Sequence, residues 1–270
     1  MSYQPFAANG VAESFCRYGR SNLWYRGPQR SLDVPYVTCI GDQETYGRFV
    51  ETPYAAGLER ILSRRCINLG SLFVGAEALY RDEGLREIAD SAEMCILQLP
   101  SVAGQTNRFY RVHPRRNDRF VAPAQELVDL FPEVDFTDIH FVRHLLNRLK
   151  FVSGTRFLTV AEELRLKWVE IIGSFLRSVS TPVILLWLDV QAEDGGQSLG
   201  DPVAIQPEMF DAVKSSSVQS LRVNLRTSGE SDDLEDVIFG TLQQPIAEHM
   251  IGPAAHRRIA EILSRTILDM

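Results

Sequence analysis

The stretch from Val34 to Leu62 limits what this chain can fold into more than any other. Val34 to Ile40 is a short apolar run with no charged residue, the pattern of a parallel strand buried on both faces. It ends at Gly41, and Ala55, Leu58, Ile61 and Leu62 then recur at helical spacing. Strand, tight turn and helix in that order form the opening unit of an open α/β sheet, where ligands bind beyond the carboxyl ends of the strands. Backbone N–H groups at such a helix start favour negative charge.

The rest of the chain repeats the alternation. Cys66 to Leu69, Cys95 to Leu99, Pro182 to Leu188 and Val218 to Leu225 read as further strands. Between them, Ala76 to Tyr80, Gly84 to Met94, Thr159 to Val179 and Pro207 to Val213 read as helices, and Arg257 to Leu268 follows as the last. The expected fold is a three-layer α/β/α sandwich with a five-stranded parallel sheet. A length of 270 residues, 45% of them hydrophobic, suits one large domain. Residues 1–33, polar and aromatic, read as an arm, and residues 34–270 as the domain. Residues 105–158 are too long for an ordinary connection and read as an insertion or lid, with an amphipathic helix from Asp138 to Phe151. The acidic run Asp189 to Gly200 and the segment Glu230 to Asp236 read as solvated loops.

Composition excludes some partners. A net charge of −7 argues against nucleic acid, because phosphate-backbone binding needs a positive field over a whole face. No apolar run approaches the roughly 20 residues that span a bilayer, and the N-terminus lacks a leader pattern, so a cytoplasmic protein is expected. Cys39, Cys66 and Cys95 fall in apolar runs and read as small buried hydrophobes, while Cys16 lies in the polar lead-in. Nothing has the ligand spacing of a metal site, so neither metal nor cofactor is expected.

Gly41-Asp42-Gln43-Glu44-Thr45-Tyr46-Gly47 resembles the first signature block of the SGNH, or GDSL, hydrolases, in which a serine nucleophile would stand where this chain has Gln43. Asn68 to Gly75 resembles the second block, whose glycine amide, here Gly70, helps form an oxyanion hole. The third block is degenerate after Leu99, and the resemblance offers Ser101, Gly104 and Asn107 as stand-ins for its oxyanion donors. The last block sets a base before or at the start of the final helix, which implies His249 or His256. With the run from Asn107 to Phe120 and the segment Gly252 to His256, the whole pattern is similar to a bacterial family of SGNH-like proteins known as a domain of unknown function. The resemblance implies fold and lineage. Its catalytic positions here are Asp42, Gln43 and Thr45 at the turn with His249 or His256.

Asn107 to Phe120 carries the most distinctive local chemistry. Arg108, Arg111, Arg115 and Arg116 offer planar forks for carboxylate, phosphate or sulfate, with His113 among them and Phe109, Tyr110 and Phe120 as stacking faces. Pairing with some of the chain's 35 carboxylates is the competing account. Three functions stay open. An ester hydrolase or acyltransferase would need a non-standard nucleophile, Thr45, Ser71 or Ser101, activated by His249 or His256. A binding protein would hold an anionic or acylated carbohydrate-like ligand, a task that suits the donor and acceptor of Gln43. A transferase for a sulfate- or phosphate-bearing donor ranks last, because the chain has no phosphate loop.

Overall fold

A computed structural model describes residues 14–191, 202–231 and 233–270. In chain order the elements begin with a small antiparallel hairpin, β1 (Phe15–Cys16) and β2 (Tyr25–Arg26). Next come β3 (Tyr36–Gly41), α1 (Gln43–Tyr46), α2 (Tyr54–Leu62), β4 (Arg65–Gly70), α3 (Ala76–Arg81), α4 (Glu83–Asp90) and β5 (Met94–Gln98). An inserted unit contains β6 (Tyr110–His113), β7 (Arg116–Pro123), α5 (Gln125–Leu130) and α6 (Val142–Val152). The chain then runs through α7 (Gly154–Ser178), β8 (Val183–Gln191), α8 (Pro207–Lys214), β9 (Gln219–Arg226), α9 (Gln244–Ala247) and α10 (Pro253–Leu268).

The central sheet has five strands in the order β4-β3-β5-β8-β9, and every pair in it is parallel. Strand alternation divides its side chains between two apolar layers. Val37, Cys39, Ile96, Ile184 and Leu186 pack against α2 and α10. Ile40, Leu69, Leu97, Leu185 and Trp187 face α3, α4, α7 and α8 on the other side. Both faces are covered, which is why the strands carry almost no charge in sequence. Leu58, fully buried between α2 and the sheet, illustrates the cost of opening this packing: truncation to alanine would destabilise by about 2–5 kcal/mol. On the other face the Trp168 indole is buried in α7 and donates to the Pro100 carbonyl at 3.0 Å, which ties that helix to the loop after β5.

Several expectations shift. β3 starts at Tyr36, after Pro35, which has no N–H to contribute to a ladder. α6 begins at Val142 and not Asp138, and α7 already begins at Gly154, where the Ser153 hydroxyl accepts the Arg156 N–H. In the described part of the N-terminal segment, Cys16, Tyr18, Leu23 and Tyr25 are buried in the core that α3 and α4 share, while Phe15 and Trp24 are exposed. Residues 1–13 lie outside the described residues, as do 192–200 of the acidic run and residue 201 after it. Asp233 is not solvated. It is buried, and its carboxylate accepts the Ala254 N–H at 3.0 Å, so it caps α10 from a distance. The four cysteines are free and buried. Among the described residues no helix is long and apolar enough to cross a membrane.

Candidate functional site

From β3 the chain passes to β4 on one side and then to β5 on the other, so a crevice opens beyond the carboxyl ends of β3 and β5. β3 ends at Gly41, and one helical turn, α1, follows at once. Asp42 caps it, accepting the Glu44 N–H at 3.2 Å, while its own N–H donates to Gln98 Oε1 at 3.0 Å. That same oxygen accepts the Thr45 hydroxyl at 3.0 Å, and Gln98 Nε2 donates to the Leu99 carbonyl at 2.7 Å. A Cβ at Gly41 would lie 2.2 Å from Thr45 Oγ1 and 2.3 Å from Gln98 Oε1, so the closure needs a glycine. Opposite it in register, a Cβ at Gly70 would stand 2.1 Å from the Tyr46 nitrogen. Asn68 links the two strand ends, donating to the Thr45 carbonyl at 2.8 Å and accepting the Gly70 N–H at 2.9 Å.

This closure decides the fate of most candidate catalytic groups. Thr45 is fully buried, its hydroxyl held between Gln98 and the Tyr54 hydroxyl 2.9 Å away, so it does not face the crevice. The Gly70 amide already donates to Asn68 and is not a free oxyanion donor. Asn107 organises its own turn, accepting the Phe109 and Tyr110 N–H groups. His256 is buried at the start of α10, where its Nδ1 accepts the Tyr54 N–H at 3.1 Å and its ring stacks on that of Tyr54. Burial, and then the charge of Arg26, push its pKa down to about 3, so the imidazole stays neutral. It lines a separate groove of about 570 Å³ between α2 and α10, together with Arg60 and Arg257. His249 is half-buried in the turn before Ile251 and is not among the residues lining the crevice. Arg26, assigned in sequence to the arm, fixes the back of the turn: its guanidinium donates to the carbonyls of Tyr46, Gly47, Val50 and Glu51.

Asp42, Gln43 and Ser101 do come together, in a cleft of about 740 Å³. Its opposite wall is the inserted unit: Asn117 and Asp118 from β7, and Phe141, Arg143, His144 and Asn147 from the α6 region, with Phe73 at one end. Phe73 and Phe141 leave 41% and 43% of their surface open, enough to offer a ring face to a ligand. Ser101 Oγ accepts the Ala103 N–H at 3.3 Å.

The arginine stretch divides. Arg108 stacks on Phe109 and lies 3.8 Å from Glu163, beside a different groove along α7. Arg111 and Arg115 are exposed on the hairpin, and His113 Nδ1 accepts the Arg115 N–H at 3.3 Å. None of the expected ligand-binding set lines the cleft, but Arg116 contacts two residues that do. It grips Asp118 with two hydrogen bonds, at 3.2 and 2.9 Å, and lies over Phe73. Arg119 mirrors it, over Phe141 and 3.9 Å from Asp118. Asn117 fastens the hairpin to α3, accepting the Gly75 and Ala78 N–H groups at 2.8 and 3.0 Å. Sequence reasoning missed Phe73, Arg143, His144 and Asn147. On α6 the polar positions 143, 144, 147, 148 and 150 form the ordinary polar side of an amphipathic helix, so nothing in the sequence marked three of them as cleft residues.

A family model described as a domain of unknown function, DUF6473, matches residues 1–270. The chain belongs to the DUF6473 family. No curated protein matches it. Among solved structures, a protein assigned to the G-D-S-L family of lipolytic proteins from Desulfitobacterium hafniense DCB-2 is 14% identical, over 86% of this chain and 99% of that one, with a TM-score of 0.37. A thioesterase domain from the curacin biosynthetic pathway is also 14% identical, over 97% and 100% of the two chains, with a TM-score of 0.29. Overlaps this loose carry neither mechanism nor site residues across to the DUF6473 chain.

One carboxyl of the DUF6473 turn has unusual surroundings. Glu44 is only half-buried as a residue, but its Oε2 is sealed from solvent and has no hydrogen-bond partner. Burial, and then the neighbouring charge of Asp42, push its pKa up to about 8, against the opposing pull of the Ile251 N–H and the Gln43 side chain.

Proposed function

We propose that the cleft binds a hydroxyl-rich ligand of the carbohydrate class carrying an anionic or acyl substituent, and that it holds this ligand without serine-type hydrolysis. The observation that carries this reading is the split at α1. Gln43 stands in the open cleft at the position of the resembled nucleophile, whereas the nearest hydroxyl on the same turn, Thr45, is sealed behind it. An amide offers one acceptor and two donors and cannot attack an acyl carbon. Gln43, Asn147, Asp42 and Asp118 together suit vicinal hydroxyls, and the open faces of Phe73 and Phe141 suit the apolar face of a sugar ring. Arg143 supplies positive charge to the same cleft, and the insertion of about residues 105–158, which forms its far wall, acts as its lid.

Thermal-shift and calorimetric titrations with neutral, uronic and O-acetylated sugars test the reading on wild type, Gln43→Ala and Arg143→Ala. Acidic or acylated sugars are expected to stabilise the wild type, and each variant to bind at least about fivefold more weakly, the loss of one hydrogen bond of about 1 kcal/mol or more. If no sugar binds, or the variants bind as well as wild type, the reading fails.

One observation favours a second reading, acyl transfer through Ser101: a hydroxyl and an imidazole, Ser101 and His144, line the same cleft. It requires turnover of acylated sugars that both Ser101→Ala and His144→Ala abolish.

A further inference from the structure

We propose that Asp118 is a positioning residue for the two aromatic walls of the cleft, holding Arg116 behind Phe73 and Arg119 behind Phe141 so that each ring keeps a face towards the ligand. The run Arg116-Asn117-Asp118-Arg119 then builds a stacking surface, and its guanidiniums do not bind the ligand's charge. The consequence for a ligand rests on the cleft reading above, and the cause rests on contacts that β7 makes with its neighbours.

The wall has a front row and a back row. Phe73, Asp118 and Phe141 line the cleft, and Arg116 and Arg119 do not. Yet each guanidinium lies over one of those rings, Arg116 at 4.2 Å from the centre of Phe73 and Arg119 at 4.1 Å from that of Phe141. Each ring therefore stands between the cleft and an arginine. Neither ring belongs to the buried core, so the arginine contact, and not close packing, is what fixes its tilt.

Asp118 joins the two backs. Its carboxylate accepts Arg116 Nε at 3.2 Å and Arg116 Nη2 at 2.9 Å, and Arg119 Nε lies 3.9 Å from Oδ2. A two-bonded pair fixes the plane of a guanidinium as well as its place. The fork with which Arg116 could grip an anion is thus spent on Asp118, and its flat face is left for Phe73.

The backbone of the same run sets where the rings start. Asn117 accepts the Gly75 and Ala78 N–H groups, which pins the loop that carries Phe73. Phe73 has a φ of 64°, a left-handed backbone that a bulky residue rarely adopts, so the fold and not local preference directs its ring. On the other side Arg119 pairs with Phe141 in an antiparallel bridge, and the Phe120 N–H donates to the His140 carbonyl at 3.0 Å. Successive residues of β7 place both rings, and the side-chain part of that work passes through Asp118.

The test reads the rings without any ligand, so its failure and that of the binding reading are distinguishable. Phe73 and Phe141 are replaced one at a time by 4-fluorophenylalanine, and the ¹⁹F signal is compared between the otherwise unchanged protein and Asp118→Asn, Arg116→Lys and Arg116→Ala. Asp118→Asn keeps both arginines and the size of the side chain. It should move the Phe73 signal towards its position in the unfolded chain, and the Phe141 signal less, since Arg119 has the single, longer contact. Arg116→Lys keeps the charge but not the fork, and should move the Phe73 signal the same way while Phe141 stays still. Once Arg116→Ala is in place, adding Asp118→Asn should move the Phe73 signal no further, because the carboxylate acts through the arginine. A Phe73 signal that ignores Asp118→Asn, or a shift that survives in full beside Arg116→Ala, would overturn the proposal. Should Asp118→Asn fail to fold, Arg116→Lys decides: a moved Phe73 signal supports the proposal and an unmoved one refutes it. For sugars that bind the wild type, Arg116→Lys should weaken neutral and uronic ones alike by about two- to tenfold, the cost of ordering one more side chain on binding. A loss confined to uronic sugars would mean that Arg116 binds the ligand's charge, and would refute it too.

Discussion

Gln43 and Thr45 lie on the same helical turn, two residues apart, and meet opposite worlds. Thr45 points back into the sheet, where Gln98, Tyr54 and, behind Tyr54, His256 leave no polar atom to a ligand. Gln43 points forward into a cleft whose far wall comes from an insertion more than 70 residues away in sequence. The comparison teaches that the usual machinery of such a turn has been divided. The groups that a nucleophile on this turn would need are held in structural hydrogen bonds, and the Gln43 side chain is left open to the cleft, where the proposed function makes it a recognition group. Substitutions on the sealed side should therefore be read in stability, and those on the open side in binding.

The largest effect belongs to the tightest contact on the sealed side. A Cβ at Gly70 would stand 2.1 Å from a backbone nitrogen, which no rotamer change relieves. Gly70→Ala should destabilise by about 3 kcal/mol, the upper range for overpacking, seen as a lowered urea midpoint with an unchanged slope. A near-neutral result would mean that α1 is free to move off β4, and the division between the two sides would be far softer than the hydrogen bonds indicate.

His256 comes next, and it can be tested by pH as well as by substitution. Its folded pKa of about 3 lies below the ordinary histidine value of 6.5, so the unfolded chain binds the extra proton first as the solution is acidified. The contribution of the neutral ring is fully present above about pH 6.5 and is lost as pH falls from there towards 3. His256→Phe keeps the stacking on Tyr54 but leaves the Tyr54 N–H without its acceptor, at a cost of about 1–3 kcal/mol at neutral pH. The variant should also flatten the stability profile between pH 6.5 and 4. If its profile stays parallel to that of wild type, another group causes the acid sensitivity.

How much of this was legible in the sequence follows the same division. The five strands of one parallel sheet could be read because a doubly covered strand must be apolar throughout, and Val183 to Leu188 or Tyr36 to Ile40 show it without help from any partner. The turn itself was legible through its glycines. What escaped depends on distant partners. Nothing near Asp233 in sequence says that it caps a helix starting twenty residues later, and it read as one more residue of an acidic loop. The α6 wall could not be read because the cleft exists only after Asn117 bolts the hairpin to α3. His256 was legible as a candidate base from its place before the last helix, but its role was not, since the Tyr54 amide that occupies it lies 202 residues away.

The smallest expected effect is the most informative about the open side. Gln43 is exposed, so Gln43→Ser should change stability by no more than about 0.5 kcal/mol. The restored hydroxyl should still hydrolyse no short-chain ester, because His256 is neutral, buried and bonded to Tyr54, and the Gly70 amide is bonded to Asn68. A serine without a base is a weak nucleophile, and without donors for the developing oxyanion it forgoes the larger part of the stabilisation. The imidazole that lines the cleft among the described residues is His144, on the α6 wall. If Gln43→Ser gains esterase activity that His144→Ala then removes, the insertion supplies the base that the last helix no longer can. The two sides of α1 would then be one active site short of a single atom group. If the variant stays inert while sugar binding falls, the open side is a recognition surface, and Gln43 is its central contact.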